Sequence, residues 1–233
     1  MSDFSNRNVV VTGGTGALGT AVVGALLEAG AQCRVPYRDE RDAQSFAHRD
    51  HKRVTMVVVK DLADEADVTT LYDGAGPLWA SIHIAGGYLW APVADTDKAA
   101  LLKQLNMNVV ASFLCCRAAI KAMGTNGGRI VNVAARPALE WRLGANQSAY
   151  GASKAAVAAM TAALAEEVAK DGILINAVAP SIMDTPVNRK DMPKADFDKW
   201  PKVEEVARTI LFLASPDNRV TRGAIVPVYG KSS

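Results

Sequence analysis

In the stretch AYGASKAAVAAM, Ala149 to Met160, a tyrosine and a lysine stand four residues apart at the head of an alanine-rich run. Alanine favours helix, and nothing in the run breaks it. Residues four apart share a helical face, so the Tyr150 phenol and the Lys154 ammonium are expected side by side. A phenol holds its proton to about pH 10, and a cation beside it favours the phenolate and lowers that value. The pair is therefore a candidate site of proton exchange.

Other stretches suit a phosphate-bearing ligand. TGGTGALG, Thr12 to Gly19, carries Gly14, Gly16 and Gly19 in the pattern G-x-G-x-x-G, between a predicted strand and a predicted helix, the context that motif requires. The loop, with Gly13, Thr15, Ala17 and Leu18, lets backbone approach a pyrophosphate. The helix N-terminus after it supplies N–H groups and a positive dipole end. The second predicted strand ends at Tyr37-Arg38, where an acid would bind ribose hydroxyls and mark NAD. Tyr37 is not an acid, and Arg38 can meet a 2′-phosphate through charge-assisted contacts, which points to NADP. Asp39, one residue on, leaves NAD open. Asp61-Leu62 is placed to touch an adenine ring, and Ala85-Gly86-Gly87 offers a surface without side chains against which a cofactor can lie.

These stretches fall at the ends of short β-branched runs. Strands are predicted over 8–12, 32–37, 54–59, 81–85, 129–134, 173–178 and 224–228, with helices near 17–29, 64–73, 97–123, 149–171 and 203–214. Strands alternating with helical patterns imply right-handed βαβ units and a doubly wound parallel sheet covered on both faces. The run MVVV (56–59) fits a strand buried on both sides. Ligands of such sheets bind beyond the carboxyl ends of the strands, near the switch in strand order.

Composition sets the bounds. The chain has 233 residues, about half of them apolar, and a net charge of +2. That allows one sizeable core and argues against global disorder. Acidic and basic residues are mixed, with no basic block for nucleic acid. The start, MSDFSNRN, lacks a signal-peptide layout, and no apolar run approaches the roughly 18 residues of a membrane span, so a cytoplasmic protein is expected. Cys33, Cys115 and Cys116 read as reduced, apolar thiols. His48 and His51 read as solvated surface, and no metal site is expected.

In chain order, the glycine loop, Asp61-Leu62, A-G-G at 85–87, Asn108, the Tyr150/Lys154 pair and VAPSIMDTP (178–186) resemble the short-chain dehydrogenase/reductase family across essentially the whole chain. The resemblance implies a single-domain Rossmann-type sheet of about seven strands that uses NADP or NAD. In it, Tyr150 exchanges a proton with the oxygen of a carbonyl/alcohol pair, and Lys154 lowers the phenol's pKa and holds the nicotinamide ribose. Asn108 kinks a helix and anchors a relay water, and Pro180 and Ile182 border the cofactor. The family serine after the fifth strand is missing: IVNVAARP (130–137) has Ala134 and Ala135 there. Losing one oriented donor typically costs ~10²–10³ in rate.

The missing serine, the loop G-G-x-G-A-L-G and the segment DTPVNRKDMPKADFDKW (184–200) resemble the dihydropteridine reductase branch, although Tyr37-Arg38 departs from its NADH preference. The expected activity is therefore hydride transfer to a conjugated carbonyl or imine-like small molecule, with 181–202 closing over the substrate. Trp90, Trp141 and Trp200 could line its pocket or serve ordinary packing. The alternatives are a general carbonyl reductase or alcohol dehydrogenase, and a cofactor-binding sensor without catalysis. Broad apolar faces on 106–123 and 149–171 point to a partner, and the family resemblance implies a homodimer or homotetramer.

Overall fold

The computed structural model describes residues 3–232. Among them, seven strands form one parallel sheet in the order β3-β2-β1-β4-β5-β6-β7. They are β1 (Asn8–Thr12), β2 (Gln32–Tyr37), β3 (Val54–Val58), β4 (Leu78–His83), β5 (Gly128–Val133), β6 (Ile173–Pro180) and β7 (Ile225–Val228). The helices are α1 (Ala17–Glu28), α2 (Glu40–Gln44), α3 (Glu65–Tyr72), α4 (Lys98–Leu105), α5 (Ala111–Met123), α6 (Ser148–Glu167), α7 (Pro186–Asp191) and α8 (Val203–Ala214). The doubly wound α/β architecture expected from the alternation of strands and helices is present.

Side chains along a strand alternate between faces, and the central strands are apolar on both. Val9 and Val11 enter the layer with Val22, Leu26, Ile210 and Leu213 of α1 and α8. Val10, between them, enters the opposite layer with Leu71, Leu114, Ile130 and Ile175, beneath α3 and α5. β1 pairs with β2 on one side and β4 on the other, so the strand order reverses there and a crevice opens at its carboxyl end. Thr12 closes the crevice floor: its carbonyl accepts from the Ile84 N–H at 3.1 Å.

Several boundaries differ from the sequence expectation. β4 spans Leu78–His83 rather than 81–85, because the chain leaves the sheet at Ile84. The run MVVV lies on the edge strand β3, where Val58 is 51% exposed. The stretch 97–123 is not uniform helix: Asn106–Val110 widens into a π-turn between α4 and α5. Contrary to the reading of apolar runs, Lys98–Met123 is long and apolar enough to cross a membrane by length and composition. Those properties equally suit a core helix, and this one packs on β4, α3 and α6.

His48 and His51 are half-buried rather than solvated. His48 meets Phe46 edge-on at 5.5 Å, and His51 Nδ1 accepts from the Arg53 N–H at 3.1 Å. Burial pushes the Cys33, Cys115 and Cys116 thiols up to about 12, so they remain neutral packing groups. The third histidine, His83, bonds through Nδ1 to Asn132 Oδ1 at 2.8 Å and through Nε2 to Ser81 at 2.8 Å. Asn132 Nδ2 donates onward to Thr161 at 2.9 Å. That network lies beneath the carboxyl ends of β4 and β5, and burial pushes His83 down to about 4, so it is neutral.

Ile210 is fully buried between α8 and the sheet, so Ile210→Ala should destabilise the fold by about 2–5 kcal/mol. Phe212, 49% exposed on the same helix, should tolerate Ser within about 0.5 kcal/mol. Urea denaturation of the two variants measures the contrast, and equal losses would contradict this packing.

Candidate active site

β1 leads into the glycine loop. Gly13 has φ 68°, in the left-handed region that favours glycine, and a Cβ there would stand 2.6 Å from the Ala85 nitrogen. The loops after β1 and β4 therefore meet through bare backbone. A Cβ on Gly19 would run into the Gly13 carbonyl, so this residue lets α1 close against the loop. Gly16 faces the other way. It is exposed, begins α1 without a capping side chain, and has no acid in the turn after it. The first-turn N–H groups are thus open to an anion, and a pyrophosphate fits this cradle. Thr15 is half-buried and Ala17 exposed, while Leu18 turns its side chain into the core and has only main chain to offer.

At the end of β2, Arg38 is 74% exposed and lies 3.3 Å from Asp42, an exposed ion pair worth little. Asp39 is occupied: its carboxylate caps α2 by accepting from the Arg41 and Asp42 N–H groups. Asp61 accepts from the Ala63 N–H at 2.8 Å, and Leu62 packs on the second core layer. At the end of β6, Pro180 is buried and Ile182 is 45% exposed. Ser181, between them, donates to the Tyr229 carbonyl at 2.9 Å.

The π-turn aims the Asn108 side chain inward. Its Oδ1 accepts from the Gly87 N–H at 2.9 Å, and its Nδ2 donates to the Gly87 carbonyl at 3.0 Å and to Ser153 Oγ at 2.9 Å. Ser153 in turn donates to the Tyr150 carbonyl at 2.7 Å. Gly86 has no room for a side chain, since a Cβ would lie 2.6 Å from Asn108 Oδ1 and 3.3 Å from Lys154 Nζ. Asn108, Gly86, Gly87, Tyr150 and Lys154 thus converge beyond the ends of β4 and β5, and Ala85 joins this group to Gly13 of the cradle.

In the protein alone, burial governs the electrostatics: with the Tyr88 phenol nearby, it pushes Tyr150 up to about 12. Burial also pushes Lys154 down to about 8, and its Nζ donates to the Val133 carbonyl at 2.8 Å. Desolvation disfavours the charged form of each group, and it is the leading cause of both shifts. Ala134 and Ala135 are both buried and bring no hydroxyl to the site.

Sequence reasoning passed over Ser153 and Tyr88. Ser153 stands three residues after Tyr150, a spacing at which side chain can meet main chain on one helical face. Tyr88 directly follows Gly87, and its ring meets that of Tyr150 edge-on, with centroids 4.9 Å apart at 83°. Among the expected aromatic residues, Trp200 is buried against Phe197, whereas Trp90 and Trp141 are exposed.

A family model described as short chain dehydrogenase matches residues 7–196. Galactitol 2-dehydrogenase from Rhizobium johnstonii is 37% identical, over 97% of this chain and 94% of that protein. Cis-4-hydroxycyclohexanecarboxylate dehydrogenase from Sinomonas cyclohexanicum is 32% identical, over 97% and 96% respectively. The solved structure of ElxO with NADP bound has a TM-score of 0.86 at 25% identity, covering 99% of this chain and 98% of that one. The two relatives are named for dehydrogenation of alcohols, so they support the general reading over the pteridine branch.

A raised pKa keeps the phenol protonated to higher pH. Ultraviolet titration of the free protein, compared with Tyr150→Phe, should show that the phenol lost in the variant titrates near 12. A difference titrating below the ordinary 10.0 would show that the lysine prevails over burial.

Proposed function

The chain belongs to the short-chain dehydrogenase/reductase family and is an NAD(P)-dependent oxidoreductase; we propose that it interconverts an alcohol and its carbonyl compound, using NADP through Arg38. The observation that carries this reading is the chain of contacts from the glycine cradle through Ala85 to Asn108, Ser153 and Tyr150.

In this reading, the cradle at Gly13–Gly19 takes the pyrophosphate on the α1 N-terminus. Arg38 takes the 2′-phosphate, since its side chain is exposed beside Asp42 and Asp39 is turned to α2. Asp61 and Leu62 border the adenine, and Pro180 and Ile182 border the nicotinamide. A nicotinamide cofactor held there would provide the hydride for reduction of the carbonyl carbon and receive it in oxidation of the alcohol. Tyr150 gives its proton to the substrate oxygen in reduction and takes it back in oxidation. Lys154 holds a positive charge beside Gly86 and anchors to Val133. With alanine at 134 and 135, Tyr150 is the hydrogen-bond donor that this arrangement aims at the substrate oxygen.

The protein is taken as cytoplasmic and as a homodimer or homotetramer. Phe113 on α5 and Leu102 on α4 are 45% and 44% exposed, as a covered interface would require. Pteridine reduction remains a second reading, supported by the 184–200 segment.

Following NADPH and NADH oxidation by absorbance with a panel of ketones, and with a quinonoid dihydropterin, tests the activity. Tyr150→Phe should lower kcat/KM by ~10²–10⁴, the range for loss of a general acid. A change of only a few fold would remove Tyr150 from the chemistry. Arg38→Ala should raise KM for NADPH by about tenfold, as expected for loss of a charge-assisted bond, and leave NADH unaffected. Equal effects on both cofactors would refute the role given to Arg38.

A further inference from the structure

Tyr88 has no part in the scheme above, yet it is the side chain packed against the Tyr150 ring. Its position is fixed from behind. Both hydrogen-bonding groups of Gly87, the residue before it, are held by Asn108, so the Tyr88 backbone has little freedom. Its ring stands edge-on to Tyr150 at 4.9 Å and 83° while remaining 59% exposed. An aromatic surface held rigid against the reacting phenol, and open on its other side, is a wall.

Four polar side chains near the site are engaged with main chain. Ser153 donates to the Tyr150 carbonyl at 2.7 Å, Ser181 to the Tyr229 carbonyl at 2.9 Å, Gln147 to the Leu143 carbonyl at 2.6 Å and Asn188 to the Met183 carbonyl at 2.8 Å. The position after β5 carries only the methyl groups of Ala134 and Ala135. An open-chain polyol must replace several water hydrogen bonds when it leaves solvent, and these groups are already engaged with main chain. A ring with apolar faces needs few partners and gains from edge-to-face and stacking contacts.

Resting on the oxidoreductase reading, we infer that Tyr88 determines specificity: its ring and that of Tyr150 form an aromatic corner that takes a cyclic or aryl ketone, and the matching alcohol, in preference to an open-chain polyhydroxy compound. Tyr88 selects by shape and apolar contact, and the proton still comes from Tyr150. The ring carries the selection, so its hydroxyl is dispensable.

The test compares cyclohexanone and acetophenone with erythrulose as oxidants of NADPH, in wild type, Tyr88→Phe and Tyr88→Ala, with NADPH binding followed by its fluorescence. In wild type, kcat/KM should be at least about tenfold higher for the ring ketones, on the scale of pocket discrimination by apolar contact. Tyr88→Phe should keep that preference. Tyr88→Ala should lose most of it through a raised KM for the ring ketones, with NADPH binding unchanged. Better turnover of erythrulose than of the ring ketones in wild type, or an undiminished ring preference in Tyr88→Ala, would overturn the assignment while leaving the oxidoreductase reading intact. Turnover of none of the three ketones, with NADPH still bound, would overturn the assignment together with the proposed alcohol–carbonyl substrate class.

Discussion

The cleft depends on one buried amide. Asn108 is 2% exposed, and a buried amide without partners is costly. Here its oxygen and both its N–H groups are used: Gly87 takes the oxygen and one hydrogen, and Ser153 takes the other. The arrangement requires the π-turn at Asn106–Val110, which turns residue 108 toward the sheet. It also requires glycine at 86, where a Cβ would collide with the amide oxygen. Through Ser153 the same amide fixes the first turn of α6, and with it the placement of Tyr150 and Lys154. The loop after β4 and the helix bearing the reactive pair are thereby held by a single side chain.

Desolvation sets the resting state of that pair. A half-buried phenol and a buried ammonium each lose solvation in their charged forms, so Tyr150 is pushed up and Lys154 down. The Lys154 ammonium is steadied by the Val133 carbonyl at 2.8 Å. The protein alone therefore holds a neutral phenol, the form needed to donate a proton to a carbonyl oxygen. The oxidative direction needs positive charge near the phenol, which an oxidised nicotinamide carries.

Much of this was legible in the sequence. The β-branched runs and alanine-rich segments located the strands and the long helices; the central strands, buried on both faces, leave a plain apolar signature, and the edge strands β3 and β7 are β-branched though partly exposed. The spacing of Tyr150 and Lys154 placed both on α6, and the glycine loop fell at the start of α1 where its motif demands. Other features were hidden for physical reasons. The π-turn has no distinct periodicity, and His83 sits in a polar network whose members come from distant elements. Tyr88 is one exposed aromatic residue in a loop, and only its contact with Tyr150 distinguishes it.

The 184–200 segment shows how much of a motif can serve its own folding. Asp184 pairs with Arg189 and Lys202, Thr185 caps α7, Pro186 occupies its first position, and Arg189 lies over the Phe197 ring at 4.8 Å. Much of the pattern therefore serves the folding of the segment itself, whatever ring or chain the enzyme acts on.

The Asn108 amide holds the Gly87 loop and the first turn of α6 from outside the glycine cradle. The direct measurement is NADPH affinity, by fluorescence titration, alongside kcat for the preferred ketone in Asn108→Ala. Affinity should stay within about threefold of wild type, since the cradle at Gly13–Gly19 is untouched. Turnover should fall by ~10², the scale expected when reacting groups are misplaced by about an ångström. Unchanged turnover, or NADPH binding lost in proportion to activity, would show that Asn108 does not place the reacting groups independently of the cradle.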